Sequence, residues 1–342
     1  MTIADIAREL NTTPATVSRA LSGHPGISEK TRHSVHQVAN RLNYKRNRIA
    51  SSLRSGKSHV IGVIIPSAEI NFFGSVVHGI ENMANSKDYT VLIYQSNETR
   101  DYEVKGIETF LGARVDGILA SVAKDNTDHS HFQEISRRGI PLVFFDRDSA
   151  HLQVPSVVVD DFKGAYLAVS HLIEQGYSSI AHIAGQQHLS VFADRCKGYM
   201  SALADHGIPF RQEWVYSGDV SVNAGSQAIE YLLSLPEPPE AVFAVEDFTA
   251  LGAIRCLKDK GVSIPEQFGV IGFANEMFGE HISPGLSTID QQTVLMGKKS
   301  CSLLLDLISD KGAGPPVLAK QKIILDPVPI YRDSSLRKKF LI

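Results

Sequence analysis

The spacing of apolar residues along the chain changes near residue 60. Before that point apolar residues recur at intervals of three and four, as in Ile3, Ile6, Ala7 and Leu10, and this spacing predicts short amphipathic helices. After it, apolar runs such as 60–65 alternate with amphipathic stretches, which is typical of buried parallel strands joined by helices. The pattern predicts a small all-α head followed by an α/β body.

Three helices are predicted in the head. Thr2 can cap the first helix, Thr13 followed by Pro14 begins the second, and Ser28 begins the third. Helix, tight turn, helix, loop and helix within about forty residues is the arrangement of a helix-turn-helix DNA-binding domain, whose second helix enters the major groove. We assign residues 1–46 to this domain.

The charge of the chain is divided unevenly. Residues 1–60 contain ten Lys and Arg but three Asp and Glu, a balance of +7, so the remaining residues carry −10 to give the net charge of −3. Lys and Arg neutralise phosphates and supply most of the non-specific affinity for nucleic acid. We therefore expect the head, and not the acidic body, to bind double-stranded DNA.

The second helix carries short side chains and one arginine on its outer faces. Ala15 can contact a thymine methyl group, Ser18 can donate or accept a hydrogen bond, and Arg19 can bind O6 and N7 of a guanine together. Thr16 shares these outer faces. This helix is the predicted reader of base sequence.

A basic connector, residues 47–58, follows the head. Ile49, Ala50 and Leu53 have helical spacing, but so short a helix is marginal on its own in water. The connector is either a linker or a hinge helix that folds on DNA. In the second case Leu53 would enter the minor groove, where an apolar side chain unstacks a base step and bends the duplex.

The body, residues 59–332, contains two successive series of predicted strands and helices. They predict two similar lobes with doubly wound parallel sheets, and a ligand at the carboxyl ends of the strands, between the lobes. The first lobe is predicted to contain about 59–160, and the chain comes back to it near 290–320. The second lobe is predicted to contain about 161–289 and 321–332. Residues 333–342 form a tail.

Polar and aromatic side chains lie at the strand ends and helix starts that would face this cleft. They are Asp146, Arg147, Asp148, Asp160, Asp161, Glu246, Asp247, Asn275 and Glu276 at strand ends, and Asn71, Phe72, Phe73, Asp194 and Arg195 at helix starts. This set suits a small polar or polyhydroxylated ligand. Asp160, Asp161 and Asp247 each precede a helix, and we interpret them as N-caps.

Several stretches of the chain resemble one protein family. They include Thr2–Ala7, Pro14–Leu21 and Asn47–Leu53 in the head, and Val270–Phe273 and Leu286–Ile289 in the body. These stretches resemble the lac repressor/gal repressor (LacI/GalR) family of bacterial transcription regulators. The resemblance implies a body similar in fold to periplasmic sugar-binding proteins, with the effector in the cleft.

The resemblance also implies roles for individual residues. Bases would be read by Ala15, Ser18 and Arg19; phosphates would be held by Thr2, Thr13, Ser28, Thr31, Tyr44 and Asn47; and Ala50 and Leu53 would lie in the minor groove. The effector would be bound by Phe73, Asp146, Arg147 and Arg195. Pro14 and Ala15 differ from the larger polar base readers of the lac repressor itself, so the operator sequence stays open.

The chain departs from the family at two cleft positions. Glu246–Asp247 replaces the Asn-Asp of the lac repressor, and Phe273–Asn275 replaces the Tyr-Asp-Asp of many sugar-responsive members. One carboxylate that grips the effector is thus lost and another is gained nearby. We add Glu246 and Asn275 to the expected effector site, where Glu246 would prefer an amine or a differently placed hydroxyl.

These observations predict a ligand-responsive repressor that binds a pseudo-palindromic operator as a homodimer. A small polar effector, a sugar or sugar derivative, would alter its operator affinity, as inducer or corepressor. The competing classes are an enzyme and a solute receptor built on the same fold. The sequence lacks the Walker A, dinucleotide-binding, nucleophile-elbow and zinc-protease motifs, and we expect no catalytic residues, cofactor or metal.

The sequence also bears on the compartment. The three cysteines are far apart and lack Cys-x-x-Cys spacing, which favours neither disulfides nor zinc. No apolar run approaches the roughly 18 residues of a membrane span, and the first ten residues contain Asp5 and Glu9 where a signal peptide would be basic. We expect a cytoplasmic protein without a membrane partner.

Overall fold

The computed structural model describes residues 1–44, 57–125, 128–149, 152–310 and 321–337. Contacts within the chain divide it into two compact units, Met1–Ser58 and His59–Ile342. In the parts that are described, the first unit is α-helical and the second combines parallel sheets with helices. The predicted fold class, an all-α head and a two-lobed α/β body, is confirmed.

The head has three helices within residues 1–44, and these are α1 (Ile3–Glu9), α2 (Pro14–Leu21) and α3 (Glu29–Arg41). Each begins at its predicted cap, because the hydroxyl of Thr2, Thr13 or Ser28 accepts a hydrogen bond from the backbone N–H three residues later. Ile6 and Val17 are fully buried where the helices meet. The stripe of apolar residues therefore closes a small core of its own.

The body contains these elements in chain order: β1 (Val60–Ile65), α4 (Asn71–Asn85), β2 (Thr90–Gln95), α5 (Arg100–Gly112), β3 (Gly117–Ala120), α6 (Ser130–Arg137), β4 (Leu142–Phe145), β5 (Ser156–Val159), α7 (Asp161–Glu174), β6 (Ile180–Ile183), α8 (Ser190–Asp205), β7 (Val215–Tyr216), α9 (Val222–Ser234), β8 (Ala241–Ala244), α10 (Asp247–Asp259), β9 (Gly269–Ile271), β10 (Thr288–Asp290), α11 (Thr293–Ser309), β11 (Lys322–Leu325) and β12 (Val328–Ile330). Short 3₁₀ turns occupy Gln212–Trp214 and Met277–Glu280.

Two parallel sheets organise these elements into lobes. The first lobe has the strand order β11-β5-β4-β3-β1-β2, and the second has β7-β6-β8-β9. All neighbouring strands in both sheets are parallel. Strands β3, β4, β5, β6 and β8 are buried along their whole length because helices cover both faces, which explains their continuous apolar sequences.

Within the described residues, the chain crosses between the lobes after β5, after β10 and after β11. Residues 321–332 were expected in the second lobe, and this assignment is wrong for β11. That strand pairs in parallel with β5 and forms the edge of the first sheet, with Ile324 beside Val158. Strand β12 returns to the second lobe, where it pairs antiparallel with β10, and Arg332 after it donates to the Leu286 carbonyl of the same lobe. The apolar pattern of a strand indicates burial but not its sheet.

Helix α11 returns to the first lobe and packs closely on α4. Two glycines make this approach possible: a Cβ on Gly297 would lie 2.0 Å from the Val76 carbonyl oxygen, and one on Gly79 would lie 2.2 Å from that of Val294. Met296 and Leu304 of α11 are fully buried in the core of the first lobe. The second segment of the first lobe, which begins with α11, is thus fixed by close backbone contact.

Candidate functional site

A cavity of about 320 Å³ lies between the two lobes. Its walls come from both of them, because α4 and the end of β4 contribute from one side and α8, α9 and the end of β8 contribute from the other. The structure brings together five of the six residues expected to bind an effector, namely Phe73, Asp146, Arg147, Arg195 and Glu246. The cavity lies where the strands of doubly wound sheets present their ligand sites.

Arg195 is the most constrained side chain of the cavity. It is 4% exposed, and each of its three nitrogens donates to a different acceptor: Nε to Asp161 at 2.7 Å, Nη1 to the Val245 carbonyl at 2.7 Å, and Nη2 to Gln291 Oε1 at 3.2 Å. The guanidinium also stacks over the Phe273 ring, 3.7 Å from its centroid. The remaining N–H groups of Arg195 have a fixed direction, which suits recognition of a polar ligand.

Asp146 and Arg147 follow strand β4 and face Arg195 from the first lobe. Asp146 adopts a left-handed backbone conformation, with φ of +61°, and its carboxylate accepts a hydrogen bond from the Ser121 hydroxyl at 3.1 Å. Burial raises the pKa of Asp146, and the neighbouring cations Arg147 and Arg195 only partly offset this. Arg147 Nη1 donates to Glu98 at 2.8 Å. Both strand-end side chains are therefore held in place before any ligand binds.

Glu246 has two functions in the second lobe. Its carboxylate is the N-cap of α10, since it accepts hydrogen bonds from the Phe248 and Thr249 backbone N–H groups at 2.9 and 2.6 Å. It also lines the cavity. Burial raises the pKa of Glu246 despite these bonds. The carboxylate gained at this position is thus both a helix cap and part of the wall.

Asn275 is the one expected effector residue that does not line the cavity. Its side-chain amide donates to Asp290 at 2.9 Å and accepts from Arg332 Nη2 at 3.1 Å, so it joins the loop after β9 to β10 and the segment after β12. Its neighbours Ala274 and Glu276 line the cavity instead. The backbone is not extended here, since φ is +144° at Ala274 and +57° at Asn275, and the Asn275 side chain is turned toward Asp290 and Arg332.

Glu276 reaches across the cleft between the lobes. Its Oε2 accepts a hydrogen bond from Asn71 Nδ2 in the first turn of α4, at 3.0 Å. The N-cap position of α4 is Ile70, which has no side chain able to cap a helix. A carboxylate of the second lobe therefore occupies the helix end that the first lobe leaves open.

Sequence reasoning did not assign several wall residues to the effector site. These are Phe72, Phe192, Ser221, Phe248, Glu276 and Gln291. Phe72 lies at a helix start, Glu276 follows β9 and Gln291 directly follows β10, so position at the end of a strand or the start of a helix is a usable signal. Phe192 and Phe248 lie in the first turns of α8 and α10. Their aromatic character alone does not distinguish a residue that lines a cavity from one that packs in the hydrophobic core.

The three aspartates interpreted as helix caps have different environments. Asp160 caps α7, because its side chain accepts from the Lys163 N–H at 2.9 Å. The interpretation is wrong for Asp161, which pairs with Arg195. It is also wrong for Asp247, whose two oxygens accept from the Thr288 hydroxyl at 2.7 Å and the Glu276 N–H at 2.8 Å. Both carboxylates bond to residues that are distant in sequence, and local sequence patterns do not reveal such partners.

The predicted base readers lie on α2 of the head. Ala15 and Arg19 are exposed, and Thr16 and Ser18 are half-buried. The Arg19 guanidinium has no ion-pair partner within 4.0 Å among the described residues, so it is available to a ligand. Four of the hydroxyls expected at phosphates lie at helix starts, where Thr13 contacts Thr16 at 3.0 Å and Ser28 contacts Thr31 at 2.8 Å, whereas Tyr44 follows the carboxyl end of α3.

Three of the expected DNA-binding residues, Asn47, Ala50 and Leu53, lie outside the described residues. Across the ranges that are described, no group of three or more His, Cys, Asp or Glu side chains is arranged to hold a metal ion. The same ranges contain no helix that combines the length and the apolar character of a membrane span.

Comparisons with known proteins match both units of the chain. Residues 2–47 match the family described as "Bacterial regulatory proteins, lacI family", and residues 58–325 match "Periplasmic binding proteins and sugar binding domain of LacI family". Catabolite control protein A of Priestia megaterium is 33% identical over 305 residues, which are 89% of this chain and 91% of that protein. The HTH-type transcriptional repressor CytR of Escherichia coli (strain K12) is 33% identical over 313 residues, or 92% and 91%.

A solved structure supports the same assignment of fold. The lac repressor dimer bound to operator and the anti-inducer ONPF aligns with a TM-score of 0.86 at 24% identity, over 98% of this chain and 99% of that one. The relatives are transcriptional regulators, so the enzyme and solute-receptor alternatives are not favoured. The chain belongs to the LacI family of bacterial regulatory proteins, and it is a DNA-binding transcriptional regulator with a periplasmic-binding-protein-like effector domain.

Proposed function

We propose that this protein is a dimeric repressor whose operator affinity is set by a small polar effector in the cavity between the lobes. The observation that carries the proposal is the construction of that cavity, in which charged side chains of both lobes meet and Glu276 bonds to Asn71 across the cleft. A ligand that contacts both walls stabilises one arrangement of the lobes over another, and this preference is what a regulator requires.

On the DNA side, we propose that Ala15, Ser18 and Arg19 of α2 read bases. The exposed guanidinium of Arg19 is the side chain best suited to discriminate, because a fork of N–H groups matches O6 and N7 of guanine. Thr2, Thr13, Ser28 and Thr31 would hold phosphates, since hydroxyls and free N–H groups at helix starts favour anions, and Tyr44, after the end of α3, would hold one through its phenol hydroxyl. Two heads related by a two-fold axis would read inverted half-sites, so the operator is pseudo-palindromic.

On the effector side, we propose that Arg195 is the central ligand-binding residue. Arg195 contacts the segments after β8 and β10 and the start of α7. A bond from the ligand to Arg195 therefore links the ligand to three segments of the second lobe. Asp146 and Arg147 hold the opposite side. A coupling free energy of about 1–3 kcal/mol between effector and operator would change operator affinity by about 5–150-fold.

The connector is the proposed transmitter of this coupling. Residues 47–58 would fold as paired hinge helices, with Ala50 and Leu53 in the minor groove, when the lobes have the DNA-binding arrangement. A protein that binds the chromosome of a bacterium in this way works in the cytoplasm. The homodimer follows from the same requirement for two inverted reading heads.

The proposal is tested by recovering DNA fragments that the full-length protein retains from sheared genomic DNA at low ionic strength. We expect the retained fragments to share an inverted repeat, and footprinting to protect two half-sites. Addition of metabolites one at a time should change retention for one chemical class. Retention without sequence preference would contradict the operator, and retention that no metabolite changes would contradict the effector function.

A further inference from the structure

The two arginines of the cavity are already neutralised by carboxylates of the protein. Arg195 forms a buried ion pair with Asp161 at 2.7 Å, and both side chains are less than a tenth exposed. Arg147 forms an ion pair with Glu98 at 2.8 Å. A ligand therefore finds directed N–H groups at these positions but little positive charge that is not already balanced.

Two further carboxylates line the cavity without such a counterion. Neither Glu246 nor Glu276 has a Lys, Arg or His nitrogen within 4.0 Å among the described residues. Their bonds come from neutral donors, which are backbone N–H groups and the Thr249 hydroxyl for Glu246, and the Asn71 amide for Glu276. Burial raises the pKa of both carboxyls; at Glu246 the charge of Arg195 offsets only part of this, and at Glu276 the charge of Glu246 adds to it. The second lobe thus presents two carboxyl groups that have no directly bonded cation among the described residues.

The helix starts at the cavity wall are already occupied by side chains of the protein. Helix N-termini are common binding sites for phosphate groups, and α4, α9 and α10 begin at the cavity wall. Glu276 occupies the start of α4, the Ser221 hydroxyl caps α9 through the Ala224 N–H at 3.1 Å, and Glu246 caps α10. Two of the three positions that attract an anion are filled by carboxylates of the protein.

The start of α8 is also in negative surroundings. It borders a second cavity of about 180 Å³, which shares Asp146 and Val191 with the first. Lys322 is the basic residue of that wall, against five aspartates, namely Asp146, Asp148, Asp160, Asp161 and Asp194. Charge complementarity with these walls therefore disfavours a phosphate or carboxylate ligand and favours a cation.

We propose that the effector is a small hydroxyl-bearing primary amine whose ammonium group lies against Glu246 and Glu276. This inference rests on the proposed effector function and narrows its chemical class. The ammonium supplies the missing counterion, so closing the cleft does not bury two carboxylates without a cation. Phe248 lines the same cavity and is half-buried, and its ring face also attracts a cation, whereas the Phe192 ring already has the Arg195 guanidinium 5.7 Å from its centroid. Hydroxyl groups of the ligand would bond to Arg195 and Asp146.

The proposal is tested with matched probes on the full-length protein. The probes are hexosamines, the parent hexoses, and the hexuronates and hexose 6-phosphates of the same gluco, galacto and manno series, together with amino alcohols. Thermal shift and titration calorimetry measure binding. We expect an amine to bind at least about tenfold more tightly than its neutral parent, the gain typical of hydrogen bonds to a charged group, and we expect no binding by the anions.

Variants locate the amine. Glu276→Gln keeps an acceptor for Asn71 but removes the charge, and it should reduce the ratio of amine to parent affinity by about tenfold. Glu246→Gln should do the same while Gln still caps α10. The control is Glu280→Gln, an exposed residue of the adjacent 3₁₀ turn that pairs with His281, and its ratio should equal that of the wild type.

The outcomes separate this proposal from the one on which it rests. If no amine binds better than its neutral parent, or if an anion binds better, the amine assignment is overturned. An unchanged ratio in Glu276→Gln and Glu246→Gln would overturn it as well. Retention of operator DNA by the same protein preparations, with a change on addition of any metabolite, would still support the proposed function.

Discussion

Glu276 of the second lobe accepts a hydrogen bond from the Asn71 side chain of the first lobe, at 3.0 Å. A second bond across the cleft joins His188 Nε2 to the Lys124 carbonyl oxygen at 3.1 Å. The two bonds cross the cleft from different segments of each lobe. Changing one or two of these side chains should therefore change the relative position of the lobes.

Replacing Asn71 by Ala should loosen this connection. The variant removes the donor to Glu276 and leaves this buried carboxylate without it, so the observed arrangement of the lobes should lose about 1–2 kcal/mol of stability. Hydrogen exchange of the amides in the first turn of α4 should then be about 5–30-fold faster. Asn85→Ala at the exposed end of the same helix is the control. Equal exchange in both variants would mean that this bond does not hold the lobes.

Arg195→Leu should abolish the response to effector and also destabilise the body. It leaves the Asp161 carboxyl buried without its cation, and breaking a buried ion pair costs about 3–5 kcal/mol. The double variant Arg195→Leu/Asp161→Leu should recover most of that loss in urea unfolding but no effector response. Lys197→Ala, exposed on the same helix, should stay within about 0.5 kcal/mol of the wild type. An effector response in the double variant would move the binding site elsewhere.

Asp247 predicts a dependence of stability on pH. Burial raises its pKa from the ordinary 3.8 to about 7. The folded protein therefore holds a proton that the unfolded chain has lost, so this contribution to stability is complete below pH 3.8 and disappears as the pH rises through about 7. Asp247→Asn removes the titration, while the amide still bonds to Thr288 and to the Glu276 N–H. Urea unfolding from about pH 4 to 8 should show wild type losing stability relative to the variant, and a constant difference would refute the assignment.

Arg19→Ala should weaken binding to the operator by about 1–3 kcal/mol and relax the choice of base at one position of each half-site. The reason is that a bidentate contact to guanine has no substitute in a methyl group. Arg8→Ala removes the same charge from α1, where Arg8 pairs with Asp5. Its effect should be smaller and independent of sequence. Fluorescence anisotropy on single-base operator variants measures both effects, and unchanged specificity in Arg19→Ala would remove this residue from the reading surface.

The contact of α4 with α11 predicts opposite effects for two glycines. Gly297→Ala should lower the free energy of unfolding by about 1–3 kcal/mol, because its Cβ would meet the Val76 carbonyl oxygen. Gly74→Ala in α4 adds a methyl group to open space and should raise stability by up to about 1 kcal/mol. Chemical unfolding of the two variants checks both signs. A similar effect of both substitutions would show that helix propensity, and not close packing, sets the role of Gly297.

The parts of the structure that were predictable from sequence are those that local chemistry determines. A hydroxyl at a helix start indicates an N-cap because it bonds to a free backbone N–H. The structure has the caps at Thr2, Thr13 and Ser28. Continuous apolar runs indicate buried parallel strands. The position of polar residues at strand ends then sufficed to place Asp146 and Glu246 at the cavity.

The parts that were not predictable depend on partners distant in sequence. The local sequence around Asp161 indicates a helix cap, but its partner is Arg195, which lies 34 residues later. Asn275 faces Asp290 and Arg332 while Ala274 and Glu276 face the cavity, and a one-residue difference in backbone direction decides between these alternatives. The sheet that receives β11 is equally a matter of long-range pairing.

The repeated crossing of the chain between the lobes has a consequence for biosynthesis. The edge strand Lys322–Leu325 of the first sheet is translated after most of the second lobe, and Val328–Ile330 of the second lobe comes later still. Neither lobe can finish folding on the ribosome before the other has been made. A nonsense mutation late in the gene would therefore abolish metabolite sensing entirely rather than leave one competent half, while the amino-terminal reader, with its own small core, would already have formed.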